Sequence, residues 1–370
     1  MAESPKDATI RAMGPPEVIL DRFVRTQLCN EAGFSGYLGK LDIETVESPS
    51  FRSFLYLVQD TMNEALRLEG VNASGGVEHP PFHFDYLDVS AGITNAHAFE
   101  LGGFAFIAVT QPMVELVWHL SHRLSRSPRV CQLLNSSLAA SAPDALQGLL
   151  FQIQLNFLVS HEYTHHIHRH CVESEAGANE LWTEFLRNET GGTLNSQAQE
   201  LDADGYAIYL VLTHLLRGER RQSALALLGG ADTPRLDGDE LLLTCFFLAL
   251  LAFFCAFWRG GVDMASIYKL RHPPPPVRIK YAIQVTEMWS GQNESVPRSW
   301  FVPARLQTLF SAAADAISGT ARLEWDAQMS FLRGADGTRY DGQLFERFEA
   351  IRQKRDELAH STAGVEPTSR

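Results

Sequence analysis

The spacing of apolar and polar positions along the 370 residues divides the chain into a mainly helical body and one shorter β-favouring region. Ser48-Pro49-Ser50 is a helix start for the amphipathic run Phe51 to Leu68. Phe82 to Tyr86 alternates as a strand does, and Phe104 to Thr110 is a compact β-favouring run after Gly102-Gly103. Pro112 stands near the start of a helix carrying Met113, Leu116, Val117 and Leu120 at helical spacing. A long helix is predicted from Leu146 to about His170, with Pro143-Asp144 as its start signal, and Gly191-Gly192 closes the polar connection after it. A second strongly periodic helix runs from about Ser196 to Leu216. Leu241 to Trp258 is apolar except for Thr244. His272 and the prolines Pro273 to Pro276 then exclude helix, which resumes over Lys280 to Trp289. Arg305 to Ile317 and Leu344 to Leu358 read as amphipathic helices, with loops at Gly334, Gly337 and Gly342. The pattern implies an α+β fold, predominantly helical, with a small β-sheet and added N- and C-terminal helices. Residues 1–16 and 361–370 are expected to be flexible tails, 17–290 the main domain with an N-terminal helical extension, and 291–360 a C-terminal helical extension.

Composition narrows the function classes. Hydrophobic content of 45% against 20% charged residues is that of a globular chain able to bury a large core. A net charge of −13 and the lack of any Lys/Arg-rich run argue against a nucleic-acid partner. The five cysteines are scattered, odd in number and free of C-x-x-C pairs, as in a cytoplasmic protein with reduced thiols. Leu241 to Trp258 has the length of a membrane span, so membrane association through 241–258 is the one competing placement; a buried core helix is the favoured reading.

The chemistry is concentrated in His161-Glu162-Tyr163-Thr164-His165, an H-E-x-x-H run inside the long helix. Residues four apart share a helix face, so both imidazoles can hold one Zn²⁺, and Glu162 can reach a water on that metal. A tetrahedral site still needs a third protein ligand. The metzincin solution requires glycine at 168 and histidine at 171, where this chain has His168 and Cys171. Glu200-Leu201-Asp202-Ala203-Asp204 on the second helix is the better source, since Glu200 and Asp204 also share a face. One carboxylate can bind the metal while the other accepts a hydrogen bond from a ligand histidine. His166, His168 and His170 read as surface or helix-C-terminal residues.

Four blocks in order resemble the HtpX and CAAX-prenyl-protease family of gluzincin metallopeptidases. They are Asn95-Ala96-His97-Ala98-Phe99 with Gly102 to Thr110; Leu158 to His170; Glu200 to Asp204, similar to E-x-x-A-D; and His272-Pro273-Pro274 with Arg278-Ile279. They span about half the chain, and His97 departs from the family's pattern. The resemblance implies a zincin-like core whose apolar edge strand, Phe104 to Thr110, holds an extended protein or peptide substrate. It also implies His161, His165 and Glu200 as zinc ligands, Glu162 as general base, Asp204 as support for a ligand, and Asn95 and Ala96 against substrate backbone. His272 and Arg278 would approach the cleft, with His272 as first choice for the oxyanion donor and Arg278 as second. The family includes small, soluble members of this core, and with one candidate span the chain resembles those more than the members with several spans.

The expected function is therefore that of a zinc metalloendopeptidase, in which Glu162 activates a zinc-bound water. The alternatives are a non-catalytic sensor or interaction protein on a zincin fold, and a membrane-associated protease anchored through 241–258. Retention of Glu162 speaks against the first. If Glu200 and His272 serve one site, a single crossing between them speaks against the second.

Overall fold

The β-favouring stretches assemble into one mixed sheet of five strands in the order β1-β2-β4-β3-β5. The structure is a computed structural model and describes residues 14–30, 34–73, 80–90, 92–134, 143–170, 182–183, 193–229, 235–257, 264, 266–317 and 325–363. The strands are β1 (Tyr37–Lys40), β2 (Phe82–Val89), β3 (Ala96–Leu101), β4 (Phe104–Thr110) and β5 (Trp182–Thr183). Only β2 and β4 run parallel; the other pairs are antiparallel. Gly102 and Gly103 join β3 to β4 with φ of +58° and +83°. A two-residue hairpin whose twist matches its strands needs positive φ at both positions, which glycine adopts without strain.

This order corrects one expectation. Phe104–Thr110 is an interior strand, with its backbone bonded to β2 on one side and β3 on the other. Neither edge is left for an added peptide. Complete burial of the side chains from Ala105 to Thr110 explains why the run is uniformly apolar rather than alternating. Helix α1 (Pro16–Thr26) packs on β1, and α2 (Pro49–Ala73) packs on β2. On α2, Asn63 bonds both the N–H and the C=O of Phe84, and Gln59 donates to Asp85 at 2.7 Å.

Two compact units are formed. One comprises residues 1–115, 162–186 and 353–370, and the other 116–161 and 187–352. Three of the chain's four passages between them fall within helices, α3 (Gln111–Ser125), α5 (Pro143–Ile167) and α12 (Ala335–Ala363). The second unit also holds α4 (Pro128–Leu133), α6 (Leu194–Leu216), α7 (Gly218–Leu227), α8 (Arg235–Ala256), α9 (Pro275–Gln292), α10 (Pro303–Ile317) and α11 (Trp325–Arg333). Its centre is α8, buried on every face from Cys245 to Cys255. Phe157 of α5 meets Phe253 and Phe254 edge-on, and Gln154 donates to the Ala249 carbonyl at 2.8 Å. Among the described residues α8 is the one helix long and apolar enough to cross a membrane, and 78% of its most apolar window is buried within the protein. A helix enclosed on all sides needs no polar face, so its composition follows from its place in the core.

Two further boundaries differ from the pattern. Helix α9 starts inside the proline run, at Pro275. The first helical positions need no N–H and favour the φ that proline already has, so only Pro273 and Pro274 are excluded. Gly337 and Gly342 lie within α12, and only Gly334 separates it from α11. A β-carbon at 337 would collide with the Phe331 carbonyl, so glycine there permits a close backbone approach.

Candidate metal centre

Helices α5 and α6 supply the candidate site. Pro143 and Asp144 open α5, in keeping with the preference for proline and acidic groups in a first turn. Thr193 caps α6: its hydroxyl accepts from Ser196 N at 3.1 Å, and Ser196 Oγ accepts from Thr193 N at 2.9 Å. Seven residues after that cap stands Glu200, and one turn later Asp204.

Both ring nitrogens of His161 face a carboxylate of α6. Nε2 lies 3.0 Å from Glu200 Oε2, and Nδ1 lies 3.0 Å from Asp204 Oδ1. All three residues are buried, at 0%, 2% and 0% exposure. Arg278 of α9 holds Asp204 from the other side, with Nε and Nη2 each donating at 2.7 Å to separate carboxylate oxygens. The same guanidinium lies 4.8 Å over the Phe254 ring of α8. Burial alone would push the Asp204 carboxyl up, but the Arg278 charge and hydrogen bonds, with the His161 hydrogen bond, outweigh it and hold the group below its ordinary value. Asp204 is thereby kept as a carboxylate, able to fix a proton on His161 Nδ1 and leave Nε2 with its lone pair beside Glu200.

His165 follows His161 by one turn of the same unbroken helix, so the helix itself fixes their relative position. His161, His165 and Glu200, all buried, offer ligand atoms within 4.8 Å of one another and could hold a metal ion. Two imidazoles and a carboxylate form a donor set suited to zinc. Glu162 is 1% exposed and adjacent to His161. Tyr163 turns off the ligand face to pack on Phe82, 4.9 Å away.

His272 precedes α9 and lies 3.3 Å from Glu200 through Nε2. Glu200 and His272, which flank α8 in the sequence, are thus neighbours, and α8 does not carry the chain away from the site. Arg278, 2% exposed, is committed to Asp204. Asn95 and Ala96 are buried in the sheet at 1% and 0% exposure. The Asn95 side chain accepts from Ala96 N and donates to Tyr37 Oη, which itself meets His97 Nε2 at 2.7 Å. His166 and His170 are buried rather than on the surface. His166 Nε2 donates to the Phe106 carbonyl at 2.8 Å, and His170 Nδ1 lies 3.1 Å from His165 Nδ1. His168 meets Arg355 at 2.9 Å. Cys171 lies outside the described residues.

The sequence pattern gave no sign of Gln197, one turn before Glu200, or of Tyr340 on α12. Both are fully buried polar residues, and Tyr340 donates to Gln197. An isolated glutamine and an isolated tyrosine carry no spacing that marks them. Compared with known proteins, the chain matches no family profile, no curated protein and no solved structure.

Proposed function

We propose that the protein is a zinc-dependent metalloendopeptidase with a zincin-like core, acting on protein or peptide substrates in the cytoplasm. The observation that carries the reading is His161, set within an H-E-x-x-H helix and bracketed by Glu200 at Nε2 and Asp204 at Nδ1. His161, His165 and Glu200 would hold the zinc ion, which when bound would polarise the scissile carbonyl and acidify a water molecule. Glu162 then removes a proton from the attacking water and delivers it to the leaving amine. Asp204 orients His161, and Arg278 keeps Asp204 ionised. His272, beside Glu200 and followed by Pro273 and Pro274, is the candidate donor to the oxyanion. Four cysteines among the described residues are free thiols, which suits a reducing compartment.

The test is elemental analysis combined with cleavage of an unfolded protein, using wild type, Glu162→Gln and His165→Ala. Wild type should carry one zinc per chain and cleave the substrate. Glu162→Gln should keep the metal and lose activity by several orders of magnitude, and His165→Ala should lose most of the metal. Full turnover in Glu162→Gln, or full zinc in His165→Ala, overturns the assignment.

A further inference from the structure

His272 reaches Glu200 from a short connection that follows the 3₁₀ turn Ile267–Lys269. Connections of this kind are ordinarily mobile, yet a side chain of α6 ties this one down through two backbone carbonyls. Gln197, fully buried, donates through Nε2 to the carbonyls of Ile267 at 2.8 Å and Leu270 at 2.6 Å. Three residues along the same helix, Glu200 meets His272. Gln197 is in turn oriented from α12, because the Tyr340 hydroxyl donates to its Oε1. With the oxygen of the amide turned to Tyr340, its NH₂ group must face the turn. Burial pushes the Tyr340 phenol well above its ordinary pKa, so it stays a donor. Its ring is fixed edge-on to Tyr268 at 5.6 Å and tilted against Phe331 at 6.2 Å. On the other side of His272, the prolines restrict φ up to the start of α9.

We propose that Gln197 and Tyr340 are positioning residues for His272. The hydroxyl of Tyr340 sets the Gln197 amide, the amide holds the backbone at 267 and 270, and that backbone presents His272 at the metal centre. The catalytic consequence rests on the hydrolytic reading above, whereas the clamp does not. A donor that is already fixed loses no orientational freedom during reaction, so loosening it lowers kcat rather than weakening substrate binding. The C-terminal helix α12 thereby belongs to the working site, although it lies about 140 residues from Glu200 along the chain.

The experiment uses the full-length, zinc-loaded protein with Tyr340→Phe and Gln197→Met. Amide hydrogen exchange is read by mass spectrometry, together with cleavage of reduced, carboxymethylated lactalbumin. Exchange over 266–272 should rise about tenfold in Tyr340→Phe and further in Gln197→Met, without a matching rise across α6 and α9. At the same time kcat should fall about tenfold, with KM within about twofold. Unchanged exchange over 266–272 in Tyr340→Phe overturns the proposal, as does an increase spread evenly over α6, α9 and α12. Should Gln197→Met fail to fold, Tyr340→Phe, which removes a single oxygen, decides. If wild type cleaves nothing, the hydrolytic reading falls while exchange alone still decides the clamp.

Discussion

Asp204→Asn is the substitution whose effect the structure constrains most closely. It keeps the size of the side chain and removes its charge. In the wild type the carboxylate accepts from Arg278 twice at 2.7 Å and faces His161 Nδ1 at 3.0 Å, with all three groups almost inaccessible. An amide has one acceptor oxygen, and because Arg278 donates to both oxygens of Asp204 the NH₂ group confronts an Arg278 donor in either orientation. A hydrogen bond to a charged group contributes about 1.5–3 kcal/mol, and leaving one member of a buried ion pair uncompensated costs about 3–5 kcal/mol. The expected loss is therefore about 3–5 kcal/mol, read from urea denaturation of metal-free protein at pH 7. Arg278→Met should cost a similar amount. The double variant removes both charges together and should be less destabilised than the sum of the singles by about 2 kcal/mol. Additivity within about 0.5 kcal/mol would refute the claim that Asp204 and Arg278 act as one unit. Acid titration gives an independent reading. Because the folded-state pKa of Asp204 lies below its ordinary 3.8, its contribution is present above that value and is lost as pH falls further through the folded pKa. The gap between wild type and Asp204→Asn should accordingly narrow only below pH 3.8. In zinc titrations the same variant should bind on the order of 10- to 100-fold more weakly.

The remaining predictions concern the core. Burial pushes the Cys245 and Cys255 thiols up to about 12, so neither should react with iodoacetamide at pH 8 until the protein is unfolded; rapid labelling of native protein would contradict the enclosure of α8. Phe253→Ala should cost about 3–5 kcal/mol in denaturant, because Phe157, Phe254 and Phe257 surround that ring at 5.2–6.0 Å; a loss below about 1 kcal/mol would show that the site collapses or is solvated. Recovery of the chain only in a membrane fraction that resists alkali would point instead to α8 acting as an anchor.

The sequence alone determined the elements whose periods are long and whose ends are punctuated. Apolar spacing, with Pro143-Asp144 as a start signal for α5, places α5, α6 and α10 to within three residues at each end, and β4 follows from its β-branched and aromatic run after two glycines; the Thr193 cap of α6 and the start of α10 at Pro303 emerged only in the structure. It also determined that His161, Glu162 and His165 share a helix, since a four-residue interval fixes a face regardless of what packs against it. Tertiary structure decided what each apolar run touches. The period of a strand says nothing about its rank in a sheet, so β4 became interior rather than an edge once β2 and β3 closed on it. The 22 residues of α8 satisfy a membrane-length test equally well in lipid and in a core, and only the packing of its neighbours distinguishes the two. β1 is four residues long with Gly39 inside it, too short to carry an alternation, and it forms because β2 offers a free edge. Around the candidate metal centre, Asp204 and Arg278 stood out through the resemblance, but neither their pairing nor Gln197 and Tyr340 did. Arg278 on Asp204 and Tyr340 on Gln197 join positions 74 and 143 residues apart, and contacts at that separation arise from how helices pack, which local pattern does not encode.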